Sequence, residues 1–91
     1  MKYTMEQMVE EVSKWFEEAP EDQQREFLKR SAIEYHHTLG REIRNRFGLW
    51  FNKWEPKIID GVDYSEDHPD NISGRVIESI QDKYRSINEQ N

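Results

Sequence analysis

The chain contains no cysteine. Disulfides, thiolate metal sites and cysteine nucleophiles are thereby excluded. Small secreted domains usually depend on disulfides, so this absence favours the cytoplasm. The opening residues Met1-Lys2-Tyr3-Thr4-Met5-Glu6 hold no apolar stretch of the kind a signal peptide needs. No run of apolar residues approaches the roughly 20 required to span a membrane, so no membrane partner is expected. Familiar catalytic patterns are missing too: there is no Ser-His-Asp spacing, glycine-rich phosphate loop or HExxH element. Asp60, Asp63, Glu66, Asp67 and Asp70 lack the alternation and closing glutamate of a calcium loop. These absences argue against an enzyme, and no cofactor or metal is expected.

Hydrophobic residues are also scarce, at 34% of 91 residues against 35% charged, which approaches the polar limit for a folded chain. Aromatic side chains compensate. Three Trp, four Tyr and four Phe bring large buried area per residue. One domain over residues 1–91 with a modest core follows, its ends (1–3 and 88–91) fraying. The net charge of −6 is unevenly placed: residues 1–20 carry −3, residues 21–54 carry +2 and residues 55–91 carry −5. Overall acidity disfavours nucleic acid and anionic membranes, yet the middle of the chain has room for a local basic patch.

Periodicity points to helices. Thr4 and Gln7 form a capping-box pair, after which Met5, Met8, Val9, Val12, Trp15, Phe16 and Ala19 recur at three- and four-residue steps. Pro20 ends that helix and suits the first position of the next. A second helical stretch runs from Pro20 toward Phe47, with a candidate break at Thr38-Leu39-Gly40. Gly40 either splits it or lies inside it at a cost of about 1 kcal/mol relative to alanine. On a continuous helix Leu28, Ala32, Tyr35, Leu39 and Ile43 share one face, and His37, Arg41 and Arg44 lie opposite. Gly48 fits the left-handed position past a helix end, with Leu49 making the accompanying apolar contact. Residues 49–67 read as an aromatic-rich connector, too apolar for water and therefore laid on the core, with a short helical turn near 55–59 and a turn at Asp60-Gly61. The last helix starts at His68-Pro69-Asp70 and carries Ile72, Val76, Ile77, Ile80, Tyr84 and Ile87 as its apolar stripe. The fold class is all-α, a compact bundle of three or four helices.

The candidate binding residues are His37, Arg41, Arg44, Asn45, Trp50 and Lys53. Guanidinium forks suit phosphate or carboxylate recognition, although Glu-Arg pairs such as Glu42-Arg46 on a solvated face explain the same charges. Phe47, Trp50, Phe51 and Trp54 interleaved with Arg44, Arg46 and Lys53 have the composition of a base-stacking surface, but so small a chain needs aromatics for its core. Adjacent His36 and His37 diverge by about 100° on a helix, which disfavours their sharing a metal ion. Arg46 falls on the apolar side and predicts a paired carboxylate, with an acid from the connector as its partner.

The run Tyr35-His36-His37-Thr38-Leu39-Gly40-Arg41-Glu42-Ile43-Arg44-Asn45-Arg46-Phe47-Gly48-Leu49-Trp50, followed by His68-Pro69-Asp70-Asn71-Ile72-Ser73, resembles the signature of an uncharacterised family of small bacterial and phage proteins. The resemblance covers roughly residues 35–88 and supplies no activity. It implies that Gly40, Arg44, Asn45, Trp50, His68 and Asp70 belong to one arrangement. Two accounts fit: Arg44 and Asn45 clamp the start of the last helix through Asp70 or the His68 carbonyl, or an external anion sits among the same side chains. Arg46, His68 and Asp70 are the structural-clamp candidates. The functional expectation is a non-enzymatic protein-binding or regulatory domain, with an accessory or inhibitory role in a phage or mobile element implied by the resemblance. The alternative is a nucleic-acid-associated regulator using the Arg41/Arg44/Lys53 region. A homodimer burying surplus aromatics is a third arrangement.

Overall fold

The capping box at Thr4 forms as the sequence predicts. In the computed structural model, which describes residues 3–89, Thr4 Oγ1 accepts from the Gln7 N–H at 3.1 Å and Gln7 Oε1 accepts from the Thr4 N–H at 2.9 Å. The first helix, α1, spans Met5–Glu18 and buries Met8 and Val12. Tyr3, expected to fray, packs its ring edge-on against Phe47 at 4.9 Å. The last helix, α4, continues through Glu89, and the rest of the expected frayed ends lies outside the described residues.

The expected helix from Pro20 to Phe47 is three shorter pieces. Pro20 takes the N-cap position, one residue before α2 (Glu21–Lys29). A 3-10 turn follows at Ala32–Tyr35, and then α3 at Leu39–Arg46. The first break has a tertiary cause. The Gln81 Nε2 of α4 donates to the carbonyls of Phe27 (3.0 Å) and Arg30 (2.8 Å), and Arg85 donates to those of Leu28 (2.8 Å) and Arg30 (3.0 Å). Those carbonyls are the ones a helix end leaves unpaired, so α4 caps α2 with side chains where no glycine is present. The chain then restarts with a capping box of Ser31 and Glu34. Gly40 thus lies inside α3, and the expected break at Thr38-Leu39-Gly40 falls at Thr38, just before it.

These breaks reset the helical phase, so Leu28, Ala32, Tyr35, Leu39 and Ile43 do not share one continuous helix face, although all five pack on the core as expected. The buried positions of α3 and its end are Gly40, Ile43, Arg44 and Phe47, a stripe at helical spacing. The helix packs on α4 (Pro69–Glu89), which also packs against α1 and α2, while Phe47 meets Tyr3 and Trp15. Ile72, Val76, Ile77 and Ile80 complete the core, while Ile87 at the end of the expected stripe is half exposed.

The molecule is mostly helical but not all-α. Where a helical turn was expected, a two-stranded antiparallel hairpin forms, β1 (Ile58–Ile59) with β2 (Val62–Asp63). Asp60 and Gly61 join the strands with φ of 50° and 80°. Positive φ at both central residues is the two-residue turn whose twist matches a hairpin, and β-branched neighbours fit the pleat.

Candidate functional site

Arg44 is buried, not on a solvated face. Its Nη1 donates to Ser73 Oγ at 2.9 Å, its Nη2 to the His36 carbonyl at 2.9 Å, and its Nε lies 3.6 Å from Asp70 Oδ1. The last distance is too long for a good hydrogen bond, so Asp70 supplies charge while the Ser73 hydroxyl and the His36 carbonyl accept the hydrogen bonds. Ser73 in turn donates to the Asp70 carbonyl at 3.0 Å. Gly40 makes this geometry accessible: a Cβ there would stand 3.0 Å from Arg44 Nη1 and 3.2 Å from the Tyr35 carbonyl oxygen. Arg44 and Asp70 therefore join α3 to the first turn of α4. Asn45 is exposed and takes no part in this, and the His68 carbonyl accepts instead from the N–H groups of Asn71 and Ile72.

His68 caps α4, its Nδ1 accepting from the Asp70 N–H at 3.0 Å. That bond places the ring proton of a neutral His68 on Nε2. The indoles of Trp50 and Trp54 meet its ring edge-on at 5.6 and 5.2 Å, and each other at 6.1 Å. Trp54 Nε1 donates to Asp63 Oδ2 at 3.0 Å, while Asp63 Oδ1 accepts from the N–H of Ser65 (2.8 Å) and of Lys57 (3.1 Å). The Ser65 and Lys57 N–H groups hold the Asp63 carboxyl below its ordinary pKa. Asn71 of α4 donates to the Ser65 carbonyl at 2.7 Å and the Asp63 carbonyl at 3.3 Å, docking the strand's end onto the helix.

The connector is braced on its inner side and bare on its outer side. Gly48, with φ of 59°, ends α3 in the left-handed conformation, and Leu49 after it is buried as expected. The expectation that the whole connector lies on the core is not met: Phe51 is 92% exposed, and Trp50, Ile58, Ile59, Val62 and Tyr64 are half exposed or more. We call residues 49–64 the aromatic arm.

The remaining candidates are dispersed. His37, Arg41 and Lys53 are exposed, so with Arg44 withdrawn the basic patch keeps Arg41 and Lys53. The carboxylate partner of Arg46 is Glu11 of α1, not an acid from the connector; both guanidinium–carboxylate contacts measure 2.7 Å. The correction has a simple origin, since the end of α3 turns toward α1, where Arg46 also stacks over Tyr3 and Phe47 at 5.7 and 5.2 Å. Among the described residues, no three histidine or acidic side chains gather where they could hold a metal ion, and no helix is long and apolar enough to cross a membrane.

Residues 3–84 match the domain of unknown function DUF6794. The chain belongs to this family. No curated protein and no solved structure matches it. The family match takes in both halves of the junction and the whole arm, so these are parts of one DUF6794 unit.

Within this DUF6794 chain, sequence reasoning missed Ser73, Asp63, Asn71 and the exposure of Phe51. Ser73 had a visible signal: it stands three, four and seven residues before Val76, Ile77 and Ile80, a polar residue on the apolar stripe. Asp63 and Asn71 had none, because apart from the Trp54 indole their partners are backbone groups in and beside the hairpin.

Proposed function

We propose that this protein is a non-enzymatic protein-binding domain that docks its partner through the outer face of the aromatic arm. The observation that carries the reading is the bare Phe51, grouped with five other half-exposed large apolar side chains on one short, internally braced segment. Exposed large apolar side chains clustered on one short segment mark interaction sites, and aromatic anchors dominate binding energy at them. The bracing by Asp63, Asn71 and the His68 cluster also supports it, since a pre-ordered segment loses little entropy on binding. The Arg44 guanidinium is engaged internally and is not presented to a ligand.

A photo-crosslinking residue in place of Phe51 tests this in cells that make the protein. The expected result is a discrete protein adduct at position 51 and none when the same group replaces the exposed Arg25 of α2. Equal labelling at both positions, or none at 51, sinks the reading.

A further inference from the structure

The apolar stripe of α1 is buried at its centre and only partly covered toward its C-terminal end. Met8 and Val12 are buried, whereas Trp15, Phe16 and Ala19 are only half-buried. These three line an open groove of about 470 Å³ together with Val12, Phe27 of α2, Tyr35, Leu39 and Ile80. The groove follows α1 through positions 12, 15, 16 and 19, about two helical turns or roughly 10 Å. That shape suits an elongated apolar ridge with anchors at successive helical steps.

The mouth is acidic. The charged residues that line it, Glu26 and Glu42, are both acidic. Arg30 pairs with Glu26 at 2.7 Å and with Glu34 at 3.4 Å, so Glu26 is already matched within the chain. Glu42 has no ion-pair partner among the described residues. We infer that this groove receives a basic amphipathic helix of a partner protein, its apolar side chains entering between Trp15, Phe16 and Leu39 and a lysine or arginine meeting Glu42. Charge complementarity selects the partner's sign and the two-turn groove selects a helix. Glu42 and Leu39 lie at the start of α3 and the arm follows its end, so this is a second surface that stands whether or not the arm binds anything.

The test uses the full chain, isotopically labelled, and two synthetic 18-residue helical peptides with one leucine face in common. One carries lysine on its polar face and the other glutamate. The lysine peptide is expected to shift the amide signals of residues 12–19, 23–27 and 35–42, and to bind at least tenfold more tightly than the glutamate peptide. Ala19→Trp fills the groove and should abolish those shifts. Glu42→Lys, an exposed change that leaves the core untouched, should weaken binding severalfold and keeps the test decisive if the first variant unfolds. Shifts confined to residues 49–64, equal affinity for the two peptides, or indifference to Glu42→Lys each overturn the inference. So does a short-chain alkylammonium ion that binds the groove as tightly as the lysine peptide, since the helix then contributes nothing.

Discussion

Arg44 and Phe51 stand seven residues apart and break the common pattern of burial in opposite directions. The arginine is 6% exposed and the phenylalanine 92%. Each inversion has a local cause. Arg44 is inside because Gly40 clears the space, and Ser73, the His36 carbonyl and Asp70 supply partners for a buried guanidinium. Phe51 is outside because Leu49, Trp50 and Phe51 form a 3-10 turn. At about three residues per turn, consecutive side chains point in three directions, and only Leu49 can face the core. The junction therefore carries stability, whereas the arm presents surface at little stability of its own. Substitutions in the two regions should separate these properties.

The largest effect is expected at the junction. Arg44→Ala removes the donor to the Ser73 hydroxyl and the His36 carbonyl and leaves a cavity between α3 and α4. A loss on the order of 3 kcal/mol follows, a fall in Tm of more than about 10 °C for a domain of this size. Thermal melting followed by circular dichroism checks it. An unchanged Tm removes the clamp and leaves Arg44 as a group held ready for something else. Gly40→Ala comes next. Alanine is the better helix former, but its methyl would press on Arg44 Nη1 at 3.0 Å and on a backbone oxygen at 3.2 Å. A net loss of about 1–2 kcal/mol is expected, because crowding outweighs a propensity gain of about 1 kcal/mol. A stabilised variant would mean that the guanidinium moves aside freely, and the junction would then be looser than its distances imply.

Local features were the most legible in the sequence. The Thr4 cap, the end at Gly48 and the start of α4 follow from residues within a turn of one another. The break after Lys29 was not legible, since its cause is Gln81 and Arg85 from the far end of the chain. Losing that break shifted the helical phase, which moved Arg44 from a buried stripe to an imagined solvated face. The arm was misread for a related reason. Its composition is that of a core segment, and only the tight turns at 49–51 and 60–61 decide how few of its side chains reach inward. Glu11 was likewise invisible as the partner of Arg46, because that pairing depends on how α1 and α3 meet.

Asp63 is where the arm's order can be removed without touching the junction. The Ser65 and Lys57 N–H groups, and then the Trp54 indole, favour its charged form and lower its pKa. A lowered acid contributes order at every pH above its unfolded value, and the contribution disappears as pH falls through the lower, folded value. Hydrogen exchange at the Lys57 and Ser65 amides should therefore stay slow through the ordinary aspartate range and quicken only below it. Asp63→Asn should speed both amides at neutral pH and erase the acid dependence, with little change in global melting. If the acid step survives in Asp63→Asn, another carboxylate holds the hairpin.

The smallest effect on stability is expected where the side chain is most conspicuous. Phe51→Ser removes a ring with almost no area to lose to water, so stability should change by no more than about 0.5 kcal/mol. The arm should remain ordered, because the Asp63, Asn71 and His68 contacts do not involve Phe51. Partner capture by a crosslinker placed at Ile59 should nevertheless collapse in this variant. Unaltered melting with lost capture separates recognition from stability within one chain. A Tm drop of several degrees would instead show that Phe51 packs against the protein in solution, and the contrast with Arg44 would then rest on the hairpin residues alone.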